Sequence, residues 1–200
     1  MLTKPGRTQD LRVRRTRHLL QQEFWKLLEE KSFQSITVQD ITERAMVNRA
    51  TFYDHFADKY ALLQFSISEW FKETLQSRLP EDFKGSPQNL QHVILTACEF
   101  LSRLRRHCLP RDAQILPLVQ TTITESMARI LLEWIREART DKPANGVSPE
   151  LAATVASWAI YGAAFHWSQQ ERQEPAEAFS LRVLPIITAS LGRHASFANP

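Results

Sequence analysis

Glycine is scarce in this chain, and segments that alternate between hydrophobic and polar residues are nearly absent. Only five of the 200 residues are glycine. A β-protein of this size needs alternating strands separated by turn residues, so the sequence predicts an all-α fold. The length allows either one large domain or a small helical head on a larger body.

Cysteine and long apolar segments are also scarce. Cys98 and Cys108 are the only cysteines, and they fit neither a C-x-x-C pair nor a zinc ligand set. We interpret them as reduced thiols. No apolar segment is long and charge-free enough to span a bilayer, and the polar, basic N-terminus lacks the apolar run of a signal peptide. We therefore expect a cytoplasmic protein without a membrane partner.

The residue patterns of catalytic sites are missing as well. The six histidines are scattered without an H-x-x-x-H pair. We find no nucleophile elbow, paired carboxylates or glycine-rich phosphate loop. The sequence therefore disfavours an enzyme, and we expect neither a metal nor a cofactor.

The most informative stretch runs from Thr37 to Leu63. Thr37 is a suitable N-cap, and Asp40 stands in the capping-box position, where glutamate is commoner. Ile41 and Ala45 lie four residues apart and share one helical face. These features predict a two-turn helix over residues 38–45.

A second short helix follows after a turn from Met46 to Asn48. Asn48 can cap this helix, in which Phe52 and Phe56 share the buried face. Asp58 can cap the next helix. Two small helices joined by a short turn, the second with a polar and aromatic outer side, are typical of a helix-turn-helix.

The spacing AxVNxxTFYxHFxxK closely resembles the DNA-binding domain of the TetR family of bacterial transcriptional regulators. The resemblance covers the first third of the chain and implies a three-helix DNA-binding head over residues 1–57. It also implies a larger helical domain for ligand binding and dimerisation over residues 58–200. Met46 and Ala50 depart from the family pattern, because glycine is usual at the first position and common at the second. The residues that carry the resemblance are Thr37, Ile41, Ala45, Val47, Asn48, Thr51, Phe52, Tyr53, Phe56, Lys59, Leu62 and Leu63.

Four side chains are predicted to bind DNA phosphates. The hydroxyls of Thr37, Thr51 and Tyr53 suit phosphate oxygens, and Lys59 places a charge beside a helix N-terminus. The resemblance implies the same role for Thr37, Tyr53 and Lys59. The alternative for Tyr53 is a half-buried phenol in the core.

Base recognition is predicted near the start of the second short helix, at Asn48. Arg49 can donate two hydrogen bonds to guanine, and Gln39 can pair with adenine. His55 can reach a base or a phosphate, and Ala50 can contact only a thymine methyl group.

The first seventeen residues carry six cations and a single acid, Asp10. Such a segment either neutralises phosphates or is a solvated terminus, and both interpretations stay open. We expect residues 1–9 to be disordered and the first helix to run from about Asp10 to Lys31. The cations are Lys4, Arg7, Arg12, Arg14, Arg15 and Arg17.

Five further helices are expected, over residues 58–79, 87–108, 117–139, 148–170 and 175–193. The fourth of the five is apolar nearly all round between Leu151 and Trp167. A body of this size cannot easily bury such a helix alone. We infer that the last two helices pair with those of a second copy about a two-fold axis. The alternative is a monomer with a fully internal helix.

The resemblance implies a small-molecule effector whose identity the residues do not give. Candidate pocket residues are Phe100, Trp134, Trp158, Tyr161 and His166, although each can also serve the core or the subunit interface. The predicted function is a ligand-responsive repressor that acts as a homodimer on a pseudo-palindromic operator in the nucleoid. The alternative is a protein-interaction factor that uses DNA as a platform without an inducer.

Overall fold

The computed structural model describes residues 7–79, 85–107, 112–137, 147–170 and 174–191, and these ranges contain helices and no β-strand. The predicted all-α fold, with a three-helix head and a larger helical body, is confirmed. The helices are α1 (Arg7–Glu30), α2 (Val38–Arg44), α3 (Arg49–Tyr53), α4 (Lys59–Gln76), α5 (Pro87–His107), α6 (Leu116–Glu137), α7 (Pro149–Ser168) and α8 (Ala176–Leu191). Two 3-10 turns, Phe33–Ser35 and Ala113–Ile115, precede α2 and α6.

The helix starts follow the predicted caps. The Thr37 hydroxyl accepts from the Asp40 amide, and the Asp40 carboxylate accepts from the Thr37 amide, which completes the capping box. The side chains of Asn48 and Asp58 cap α3 and α4 by accepting from backbone amides within three residues. Because these bonds satisfy amides that a helix N-terminus leaves unpaired, each cap fixes where its helix begins.

The first helix begins earlier than predicted. It starts at Arg7, so the expectation of disorder was wrong for residues 7–9. Residues 1–6, Cys108 and residues 141–146, between two of the predicted helices, lie outside the described residues. No helix among those described combines the length and apolar character needed to cross a bilayer.

The head encloses a small aromatic core. Leu20 and Phe24 of α1 meet Ile41 of α2 and Phe52 of α3, and all four are fully buried. Val47, in the turn between α2 and α3, is partly buried against this core. Helix α3 is too short to be stable by itself, so its packing against α1 and α2 in this core fixes its orientation.

The first half of α4 packs against the head. The ring of Tyr60 meets Phe33 edge-on at 4.9 Å, and the rings of Phe56 and Phe65 lie 5.3 Å apart. Gln21 of α1 donates to the Ser66 carbonyl of α4. The second half of α4 packs against α5 and α6. Helix α4 therefore belongs to both parts of the molecule.

The body is a helical bundle in which α7 is central. Helix α7 packs against α5, α6 and α8, and the small residues Ala152, Ala156 and Ala164 are buried in these contacts. Small side chains let neighbouring helices approach closely, which buries one side of α7 completely.

Cys98 is fully buried in α5, and burial raises the pKa of its thiol to about 12.

Met46 occupies the turn between α2 and α3 with a φ of 52°, in the left-handed region. Its side chain is 91% exposed, so it gains little packing in return for this strain. A left-handed residue with a Cβ costs roughly 1–2 kcal/mol. The turn therefore carries a local strain that glycine would relieve.

We predict that Met46→Gly raises the free energy of unfolding by about 0.5–1 kcal/mol, because glycine adopts this φ freely but loses more chain entropy on folding. Urea denaturation followed by circular dichroism measures the change. Met46→Ala is the control, since alanine keeps the Cβ and should give no comparable gain. Equal stabilisation by alanine and glycine would contradict the strain explanation.

Candidate nucleic-acid interface

Helix α3 projects a polar side away from the core. Phe52 anchors α3 inside the head, while Arg49, Ala50 and Tyr53 are exposed. An α-helix with its side chains is about 10–12 Å wide, which matches the major groove of B-DNA. The outer side of α3 can therefore enter that groove without rearrangement of the head.

Arg49 and Tyr53 form a pair one helical turn apart on this outer side. The Arg49 guanidinium lies 5.8 Å from the centre of the Tyr53 ring, and Nη2 donates to the phenol oxygen at 3.4 Å. Tyr53 is 49% exposed, and its ring meets that of the buried Phe52 edge-on at 5.5 Å, so the alternative of a half-buried phenol stays open. The pair presents guanidinium donors and a phenol on one face, and these groups suit a guanine edge and a phosphate.

The start of α2 presents Thr37 and Gln39, both exposed. The Thr37 hydroxyl donates to Asp40, and the Gln39 amide donates to Glu43 at 2.8 Å. Hydrogen bonds from Lys31 and Thr37 lower the pKa of Asp40 to about 2, so its carboxylate is charged at neutral pH. Binding of a phosphate at this N-terminus would require the Thr37 hydroxyl to turn away from Asp40.

A groove of about 640 Å³ separates α1 from α3. Thr51 and His55 line it from α3, and the exposed Arg12 lines it from α1. Burial lowers the pKa of His55, with a further contribution from Arg17 and opposition from Asp54, so the imidazole is neutral at pH 7. His55 therefore offers a hydrogen bond rather than a charge, and Arg12 supplies the charge at this edge.

Lys59 is engaged inside the protein. Its ammonium donates to the carbonyls of Phe33, Gln34 and Ile36 at 2.9, 3.0 and 2.8 Å. Burial lowers the pKa of Lys59, and the charges of Asp112 and Asp40 oppose this effect. Three donated bonds require the protonated amine and use all of its N–H groups. We infer that Lys59 positions the link between α1 and α2. The phosphate contact predicted from the sequence is the alternative, which the salt dependence of DNA binding tests.

A second charged group reaches the same 3-10 turn from the body. The carboxylate of Asp112, 1% exposed, accepts from the Phe33 amide at 2.8 Å and from the Gln114 side chain at 3.1 Å. Asp112 precedes α6, so this bond joins head and body across 79 positions of the chain. No local sequence pattern predicts this contact.

A cavity of about 420 Å³ lies where α1 meets α4 and α5. Of the predicted ligand residues, Phe100 lines it, and Trp134, Trp158, Tyr161 and His166 do not. Trp134 is 2% exposed in the body core, whereas Trp158 and His166 lie on the exposed side of α7. Trp25 and Trp70 line the cavity and were missed, because an aromatic count does not separate cavity walls from core.

Comparison with known proteins agrees with this geometry. Residues 25–64 match the family model described as bacterial regulatory proteins, tetR family. The HTH-type transcriptional regulator YxbF of Bacillus subtilis is 51% identical over 59 residues, which cover 29% of this chain and 16% of that protein. The HTH-type transcriptional repressor DhaR of Mycobacterium is 26% identical over 176 residues, which cover 80% of this chain and 86% of that protein.

One solved structure shows the shared fold over nearly the whole chain. It is the repressor QsdR of R. erythropolis, with a TM-score of 0.59, 16% identity, and coverage of 96% of this chain and 98% of QsdR. The exposed α3, the capped turn and these matches define a helix-turn-helix transcriptional regulator. The chain therefore carries a DNA-binding head of the TetR family at residues 25–64 and shares the fold of QsdR beyond it.

We predict that Lys59→Met lowers the free energy of unfolding by about 1–3 kcal/mol, because three carbonyls lose a charged donor. The slope of log affinity for DNA against log salt should stay unchanged. Lys72→Met, at an exposed position of α4, is the control for loss of one charge.

If Lys59→Met instead reduces the slope of log affinity against log salt by about one and leaves stability unchanged, Lys59 is a phosphate contact. Denaturant titration and DNA-binding titrations at several salt concentrations supply both measurements.

Proposed function

We propose that this protein is a sequence-specific DNA-binding repressor that acts as a homodimer on a pseudo-palindromic operator and responds to a small molecule. The observation that carries the proposal is the outward-facing Arg49–Tyr53 pair on a helix whose other side is locked into the head. In this proposal Arg49 reads a base, and Tyr53, Thr37 and Thr51 hold phosphates. Gln39, Ala50 and His55 add base contacts, and Asn48 sets the start of α3.

The dimer is proposed from an uncovered apolar face. On α7, Leu151, Val155 and Trp158 are each about half exposed, although the opposite side of the helix is buried. On α8, Leu181 and Ile186 are 56% and 69% exposed. Several exposed large apolar side chains on two adjacent helices favour a protein interaction site. A second copy of the same face forms a four-helix contact about a two-fold axis.

A two-fold dimer presents two copies of α3 to one side of a duplex. Half-sites are then expected about one helical turn apart, or slightly more, with inverted sequence symmetry. The protein would act at the bacterial nucleoid. DhaR and QsdR are both named as repressors, which supports repression as the sign of regulation.

An effector is proposed to act by changing the angle between head and body. Within the described ranges, connections that bear on this angle include helix α4, the Asp112–Phe33 hydrogen bond, and a contact at 3.5 Å between Glu29 of α1 and Arg103 of α5. A ligand that favours one arrangement of these connections shifts the population of DNA-competent dimers.

We predict distinct effects of two substitutions on α3. Arg49→Ala should weaken operator binding by about 1–3 kcal/mol and relax the preference at one base pair of each half-site. Tyr53→Phe should weaken binding to all sequences to a similar extent, because a phosphate contact carries no sequence information. Operator selection from random duplexes, followed by titrations against single-base variants, measures both.

Arg106→Ala, at an exposed position of α5 in the body, is the control and should leave affinity and preference unchanged. An unchanged base preference in Arg49→Ala would remove Arg49 as a base-reading residue. Lack of preference for any duplex by the native chain would refute the proposed function.

We predict that Val155→Asp and Ile186→Asp convert the dimer to monomer at micromolar concentration, because each buries an uncompensated charge in the interface. Both positions are about half exposed or more in one subunit, so the fold of the subunit should persist. Sedimentation equilibrium measures the mass. Leu11→Asp, at an exposed leucine of α1, is the control and should remain dimeric; a native chain that is already monomeric would contradict the prediction.

A further inference from the structure

The cavity between α1, α4 and α5 is placed where head and body meet. Trp25 and Leu28 line it from α1, Trp70 from α4, and Phe100 and Leu104 from α5. Its volume of about 420 Å³ lies within the range of small-molecule sites. An occupant would touch the head and the body at once.

The walls suit a flat aromatic molecule. The rings of Trp70 and Phe100 pack at 5.0 Å between centres with an angle of 47°, and Phe100 is 4% exposed. Trp25 adds a third aromatic side chain on the opposite helix, and its indole Nε1 is buried with no acceptor among the described residues. A buried donor without an acceptor is unusual and costly, so an occupant with an oxygen acceptor near Trp25 would be favoured.

The charges around the cavity favour an anion. Its charged lining side chains are Lys26, Glu29 and Arg103. Lys26 is already paired with Glu23 at 2.7 Å, so Arg103 is the lining cation best placed to take an anion. Arg103 contacts Glu29 at 3.5 Å, with both side chains more than half exposed, so this pair is weak and easily exchanged. A carboxylate can bind a guanidinium through two parallel hydrogen bonds, which the long contact with Glu29 does not provide.

We propose that this cavity binds a planar aromatic carboxylate of one or two rings, with its rings among Trp25, Trp70 and Phe100 and its carboxylate on Arg103. The carboxylate replaces Glu29 as the partner of Arg103 and so releases a contact between head and body. The proposal deepens the proposed function, because it gives the effector a site and a chemical class. The binding step itself does not depend on DNA.

Titration calorimetry of the DNA-free, full-length chain with 2-naphthoate tests the site. We expect saturable binding of one molecule per chain. Arg103→Gln should weaken it about fivefold to tenfold, the effect of one partly exposed charged hydrogen bond. Arg106→Gln, which removes an exposed arginine of the same helix outside the cavity, should leave the affinity unchanged.

Two further measurements separate this cavity from other aromatic sites. The neutral analogue 2-naphthol should bind about fivefold to tenfold more weakly than 2-naphthoate to the native chain and be indifferent to Arg103→Gln. Gln22→Trp introduces an indole at an exposed lining position of α1, so it should narrow the cavity and weaken 2-naphthoate more than tenfold. Circular dichroism confirms that this variant stays folded.

The proposal is overturned if the native chain shows no saturable binding of 2-naphthoate up to about 1 mM, the weakest specific affinity of interest. It is equally overturned if Arg103→Gln and folded Gln22→Trp both bind as tightly as the native chain. Binding with the expected variant pattern, in a chain that selects no operator, supports the site and refutes the proposed function.

Discussion

The 3-10 turn Phe33–Ser35 is the constraint on which the arrangement of the head depends. It lies between α1 and α2, and its backbone groups are satisfied by charged side chains from elsewhere. The ammonium of Lys59 donates to three carbonyls at 2.8–3.0 Å, so a displacement of Lys59 would break several of these hydrogen bonds at once. The carboxylate of Asp112 holds the Phe33 amide at 2.8 Å. Backbone groups removed from water must be paired, so neither α4 nor the start of α6 can move away from this turn without a large loss.

The connections between head and body differ in strength, and that difference suggests where the molecule bends. Asp112 is buried, and removal of its partner would leave a charge uncompensated in a low-dielectric environment. The Glu29–Arg103 contact is long and exposed, so water replaces it at little cost. Motion about the Asp112–Phe33 bond would therefore open or close the side of α1 that carries Glu29. The cavity lies on that side and is lined by both α1 and α5, so an occupant would contact both partners of this weak connection.

Local chemistry explains how much the sequence could predict. The caps at Thr37, Asn48 and Asp58 act within three residues, and the left-handed turn at Met46 follows from its place between two capped helices. The contacts of Lys59 and Asp112 could not be predicted in this way, because they join positions 23 or more residues apart. The same holds for Trp25 and Trp70, whose indoles become cavity walls only after three helices have packed. The site residues on α3 could be predicted only in part. Their exposure follows from the helical period, but their contacts with DNA do not.

The length of α4 determines how far a small tilt of this helix displaces the head. Helix α4 has 18 residues and is therefore about 27 Å long. If the uncovered faces of α7 and α8 hold two bodies together, a tilt of α4 by about 5° displaces each head by roughly 2 Å, by simple leverage over that length. A hydrogen bond weakens severely over much less than this distance. The two copies of α3 cannot both keep their contacts with adjacent major grooves under such a shift, since DNA resists the matching deformation. If an occupant of the cavity favours such a tilt, the proposed dimer loses operator contacts although nothing changes on α3 itself.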